Sequence, residues 1–182
     1  MAAKTTENTK LPGANGVMVI PRSIWHLRPQ MVIHGGPYAS HPQGMFGICL
    51  LEQHPRRGTA DLWFPIADFS VPDDTAKTQS ALRCALLQLI AGNPIYVGCL
   101  GGKGRTGLFM ALLAKALGAD DPISYVRENF NAHAVETTAQ ELWIEEFDTA
   151  DLELWLRGQL RRRLLQRLLP RWLFRSPLTS VA

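Results

Sequence analysis

The chain has 182 residues, 46% of them hydrophobic and 19% charged, with a formal net charge of +3. These proportions are ordinary for a soluble globular protein and leave room for one domain with a real core. No apolar run reaches the roughly 18 residues of a membrane span, and residues 1–16 (MAAKTTENTKLPGANG) have no signal-peptide core. They read as a loose lead-in, and the expected location is cytoplasmic.

Charge is unevenly placed. Residues 1–153 carry 12 Lys and Arg against 16 Asp and Glu, whereas residues 154–182 carry seven arginines and no acid. A mildly acidic globular part is followed by a strongly basic tail.

In chain order, the short apolar runs 17–20, 31–36, 45–52 and 61–66 are bounded by Pro, Gly and polar clusters and read as strands. From Asp73 the spacing changes: Ala81, Leu82, Ala85, Leu86 and Leu89 recur three and four apart, the period of a helix. Gly92-Asn93-Pro94 stops it. IYVGC (95–99) is then a buried strand, and GLFMALLAKALG (107–118) is a helix apolar almost all round, hence central. Residues 120–131 and 137–156 follow as helices, the second opening at a Thr cap. Strands first, then alternation, then helices predict an α/β fold, a mixed central sheet flanked by helices.

Cys49, Cys84 and Cys99 are odd in number and lack C-x-x-C spacing, which argues against a disulfide framework or a zinc site. Cys49 and Cys84 sit in apolar runs and read as small buried hydrophobes. Cys99 lies instead in the glycine-rich junction CLGGKGRTG.

Three chemistries compete for that junction. A nucleotide phosphate loop fails, because Gly102-Lys103 is followed by Gly104 where a hydroxyl is required. The dinucleotide fingerprint matches as Gly102-x-Gly104-x-x-Gly107, but no second strand follows to carry its acid. The third reading pairs Cys99 with Arg105. A thiolate needs positive potential, which a helix N-terminus supplies, and small residues let loop N–H groups converge on an anion. Arg105 adds a planar fork for two phosphate oxygens. That combination puts a sulfur nucleophile beneath a bound phosphate. Against it stand the plain readings of Cys99 as a strand end and Arg105 as a solvated helix start.

The string CLGGKGRTG resembles the signature loop of the cysteine-dependent protein tyrosine phosphatase superfamily, including its dual-specificity members. Two more stretches line up in order. PIADFSVPDD (65–74) resembles the family's acid loop, with Asp68 at the general acid. VETTAQELW (135–143) resembles the loop that positions water, with Gln140 at the glutamine and Glu136 an earlier polar position.

The resemblance implies that Cys99 attacks phosphorus and forms a phosphocysteine. Arg105 and the amides of Leu100, Gly101, Gly102, Lys103 and Gly104 would hold the phosphate. Asp68 would be general acid and then base, Gln140 would orient the hydrolytic water, and Thr106 would donate its hydroxyl to the sulfur. No metal or cofactor is implied. Plain alternatives stand beside these roles: Asp73 and Asp74 compete with Asp68, Gln140 is also a first-turn helical residue, and Lys103 is a solvated side chain. One departure is Gly98, where the family usually has a histidine. The implied substrate is a phosphoprotein, through phosphotyrosine, with phosphoserine and phosphothreonine as further candidates. A catalytically weak scaffold and a phosphoinositide phosphatase at a membrane are the alternatives.

The expected phosphatase domain spans 17–156. From the end of the domain into the tail, 157–182, Leu156, Leu160, Leu164 and Leu168 recur every four residues among arginines, up to a break near Pro170. This amphipathic helix packs on the domain, or over 157–175 meets a protein partner's groove or an anionic membrane surface. Nucleic acid is disfavoured beside an acidic domain.

Overall fold

The structure, a computed structural model, describes residues 16–20, 30–53 and 60–168. Within them one five-stranded sheet is built from β1 (Gly16–Ile20), β2 (Met31–Pro37), β3 (Phe46–Cys49), β4 (Leu62–Trp63) and β5 (Ile95–Cys99). The order across the sheet is β1-β2-β5-β3-β4. Only the β1–β2 pair is antiparallel; β2–β5, β5–β3 and β3–β4 are parallel, so the sheet is mixed. β5 is the middle strand and all five of its residues are buried, as a continuous apolar run requires when both faces are covered.

Five helices follow the strand-rich half: α1 (Thr75–Ala91), α2 (Gly104–Ala116), α3 (Pro122–Asn129), α4 (Thr138–Glu146) and α5 (Ala150–Leu168). Each local signal has a visible cause. Asp74 caps α1 by accepting from the Lys77 N–H, and Gly92 ends it at φ 87°, a left-handed position that glycine takes without strain. Asp121 caps α3 ahead of Pro122, and Thr137 caps α4.

The two sheet faces are unlike. Ile95, Val97 and Cys99 point into the main core with α1, α2 and the aliphatic faces of the other helices. Tyr96 points the opposite way, into a smaller cluster with Tyr38 and Cys49. The connection from β2 to β3 crosses this second face through a 3-10 turn, Tyr38–Ser40. α2 is buried on every side except at Lys115, whose amine reaches out to the Ile144 and Glu145 carbonyls and closes the end of α4. The helix placed centrally from its apolar sequence is central.

Three boundaries differ from expectation. The strand read over 45–52 is regular only at Phe46–Cys49, and the one over 61–66 only at Leu62–Trp63, although single backbone hydrogen bonds run on beyond both, from Leu50 N–H to the Gly98 carbonyl and from Ile66 N–H to the Leu50 carbonyl. The helix read over 137–156 is two helices. Phe147 turns to an extended conformation (ψ 117°) and packs against Trp143 with tilted rings, their centres 4.9 Å apart. Asp148 then accepts from the Ala150 N–H at 2.8 Å, opening α5. α5 runs without a break from Ala150 to Leu168. Leu152 and Leu156 are buried and Leu160 packs beside them, while Arg163 donates to the Ile90 carbonyl of α1. The lead-in, Pro170 and the rest of the tail lie outside the described residues.

Candidate active site

β5 ends at Cys99 and α2 begins at Gly104, so four residues turn the chain from the sheet into the central helix. The turn is tight against β2. Gly102 has φ +70°, and a Cβ there would lie 2.3 Å from the Gly36 carbonyl carbon. Both constraints select glycine. Leu100 and Gly101 project into solvent, as does Lys103, which precedes α2 without capping it through its side chain.

Cys99 is 2% exposed, and two groups aim hydrogens at its sulfur. The Gly102 N–H donates to Sγ at 3.2 Å. Thr106 Oγ1 accepts from the Cys99 N–H at 3.1 Å and lies 3.2 Å from Sγ. With its lone pair committed to the backbone, the hydroxyl is oriented to donate to the sulfur. The sulfur thus faces two hydrogen-bond donors at the positive end of a buried helix.

Arg105, in the first turn of α2, is buried, and its guanidinium crosses to the acid loop. One amino group donates to the Ile66 carbonyl at 3.1 Å, and the other meets Asp68 Oδ1 at 2.7 Å. Asp68 is largely exposed at the loop tip, where the next residue, Phe69, takes a positive φ of 54° and is also largely exposed. Asp74, one of the two competitors for the acid role, is occupied as the cap of α1, which holds its carboxyl below the usual range through the Lys77 N–H. Asp73 is exposed.

Gln140 is fully buried, with both ends of its amide engaged. Its Nε2 donates to the Ser70 carbonyl at 3.1 Å and its Oε1 accepts from the Glu136 N–H at 2.9 Å. It therefore ties the acid loop to the turn before α4. The side chain from that turn which reaches the phosphate loop is Glu136, whose Oε2 accepts from the Gly104 N–H at 2.8 Å. The sequence pattern drew attention to Gln140 because glutamine is the expected residue type; nothing in the string VETTAQ says which polar side chain points forward.

Gly98 has a reason of its own. A Cβ there would stand 2.8 Å and 2.9 Å from Tyr38 Cα and N. The crossing segment lies directly on β5, and the Tyr96 hydroxyl donates to the Pro37 carbonyl at 2.8 Å, pinning it there. The position usually held by histidine has no room for a side chain in this packing. No feature of the sequence announced that contact between residues sixty apart.

Cys99, Thr106, Arg105 and Asp68 thus converge at one end of β5, with Gln140 buried behind the loops and Glu136 in front. The arrangement has a nucleophile, an anion-binding helix start, a guanidinium and a carboxylate on a separate loop. It can hold a tetrahedral dianion over a sulfur.

The model of a tyrosine phosphatase family matches residues 67–153. An uncharacterised protein of Methanocaldococcus jannaschii is 33% identical over 100 residues, 54% of this chain and 66% of the relative. A triple specificity protein phosphatase, PtpB of Mycobacterium tuberculosis, is 34% identical over 74 residues, 39% of this chain and 27% of the relative. The chain thus spans less than two thirds of the length of these relatives. Among solved structures, Tk-PTP in its active form superposes with a TM-score of 0.55 at 20% identity, covering 80% of this chain and 99% of that one. The α/β architecture is therefore the one that tyrosine phosphatases share.

Proposed function

We propose that this chain is a cysteine-dependent protein tyrosine phosphatase that hydrolyses phosphotyrosine in proteins, with phosphoserine and phosphothreonine as secondary substrates; the match of a tyrosine phosphatase family model to residues 67–153 supports this reading. The observation that carries this reading is the pair of donors on Cys99 Sγ before the start of α2, with Arg105 in the first turn of that helix. In the first step, the sulfur attacks phosphorus while Arg105 and the loop amides take the equatorial oxygens. Asp68 gives its proton to the departing phenolic oxygen. In the second step, water attacks the phosphocysteine, Asp68 takes its proton, and the thiolate leaves with Thr106 donating to it. Phe69 and Leu100, 62% and 69% exposed on the loops that flank the sulfur, offer apolar surface to an aromatic ring.

Elsewhere on the chain, α5 carries Arg157, Arg161 and Arg162 on its exposed side. These support contact with an anionic partner surface, and a phosphoprotein is the partner this reading favours. Among the described residues no helix is long and apolar enough to cross a membrane.

The test is turnover of an aryl phosphate and of a phosphotyrosyl peptide by wild type and Cys99→Ser, with mass spectrometry of acid-quenched enzyme. The reading requires activity that Cys99→Ser abolishes and a phosphate adduct on Cys99. Inert wild type that still binds phosphate would instead make the chain a phosphate-binding scaffold.

A further inference from the structure

We propose that Glu136 is a specificity-determining residue of the phosphate site: its carboxylate occupies the loop amide that a phosphate oxygen needs, weakening the hold on free phosphate. The inference rests on the reading of the Cys99 loop as a phosphoanion site.

The first amide of a helix has no partner within the helix and faces whatever anion is present. In α2 that amide is Gly104 N–H, and its partner is Glu136 Oε2 at 2.8 Å. The next residue, Arg105, is also held by a carboxylate, Asp68. Two of the groups best suited to bind phosphate therefore each carry an internal anion. Asp68 has a proton-transfer role that explains its place. Glu136 has none, yet its turn is built with care.

Val135, just before it, sits at φ +62°, a strained conformation for a β-branched residue. Arg127 restrains that strained turn, donating through Nε to the Ala134 carbonyl and through an amino group to the Val135 carbonyl, and the same amino group pairs with Glu141. Gln140 fixes the Glu136 N–H from behind, and α2 closes on the turn at Gly107, where a Cβ would lie 2.7 Å from Ala134 Cβ. The backbone of Glu136 is thus anchored while the residue itself is exposed. Its carboxylate is free to leave when phosphate enters, and its charge then stands beside a dianion. The consequence is weaker binding of free phosphate and faster release of the product.

A plain helix-capping role predicts something different. Glu136→Gln keeps an acceptor for the Gly104 N–H and removes only the charge. If capping were the whole role, Glu136→Gln would bind phosphate as wild type does, and Glu136→Ala, with no cap, would bind it more weakly. If the charge competes with phosphate, both variants bind inorganic phosphate more tightly, by about tenfold, the scale of one like charge acting on a dianion across a few ångströms of water.

The experiment is calorimetric titration of the full chain with inorganic phosphate for wild type, Glu136→Gln and Glu136→Ala, with melting temperatures as a fold control. Turnover assays add the inhibition constant for phosphate, expected to fall in parallel. Tighter binding in Glu136→Gln supports the proposal even if no variant turns over substrate, a result that would overturn only the enzymatic reading. Unchanged or weaker binding in Glu136→Gln, with wild type active, overturns the proposal and leaves the enzyme. Absence of phosphate binding in every variant overturns both.

Discussion

Arg105 and Asp68 meet at 2.7 Å although the side chain of one is 6% exposed and that of the other 56%. The buried guanidinium is thereby paired, which a buried charge requires, and the acid is held within reach of the phosphate that Arg105 would bind. Asp68→Asn preserves the shape and removes the proton. Its kcat should fall about a hundredfold on phosphotyrosyl peptide and far less on an ester whose leaving group departs as a stable anion. Equal losses on both substrates would assign the acid elsewhere.

Gly98 packs against the Tyr38 backbone, so a histidine placed there does not restore a missing catalytic group. Gly98→Ala and Gly98→His should both lower stability by about 1–3 kcal/mol, the usual result of overfilling a packed site, read as a drop in the urea midpoint. A Gly98→His protein that is as stable as wild type and faster would show that the crossing segment yields.

Gln140→Leu keeps the volume of a fully buried side chain and leaves the Ser70 carbonyl and Glu136 N–H without it. The cost should be about 1–3 kcal/mol, with reduced kcat because the acid loop loses its tether. Acting through Asp68, the effect on kcat should largely vanish in the Asp68→Asn background. A loss that persists there would mean that Gln140 meets the hydrolytic water itself.

His34 lies buried on β2, its Nδ1 without a hydrogen-bond partner among the described residues, and burial pulls its pKa below 6.5. The fold therefore favours the neutral ring, while the unfolded chain gains a proton as pH drops through 6.5. Stability present above pH 6.5 is lost progressively below it, down to the folded-state pKa. Urea midpoints should decline between pH 7 and pH 5, and His34→Met should flatten that decline. Parallel curves for the two proteins would rule out His34 as the source.

The strands, the central helix and the loop between them were legible because each is a local pattern: alternation of polarity and length, a 3.6-residue period, glycines at one turn. Cys99 and Arg105 stood out at the glycine-rich turn, whereas Asp68 was singled out only through the resemblance of 65–74 to a family's acid loop. The split of 137–156 was missed because apolar spacing continues through Phe147, whereas the break depends on Asp148 and Thr149 forming a second start. There, the Thr149 hydroxyl bonds Glu153 at 2.9 Å. Gly98 and Glu136 could not be read, since their meaning depends on Tyr38 and Gly104, which only the folded chain brings to them.

The loops around the sulfur are moored largely by main-chain atoms. Arg105 grips the carbonyl of Ile66, Gln140 that of Ser70, and Arg127 those of Ala134 and Val135. A carbonyl is the same whatever side chain its residue bears. The anchoring side chains come from helices α2, α3 and α4, so the loops themselves are left at liberty to vary. Phe69, for instance, can change its identity while its neighbours stay fastened. A scaffold attached in this manner lets substrate preference drift across related sequences while the chemistry beneath keeps its geometry.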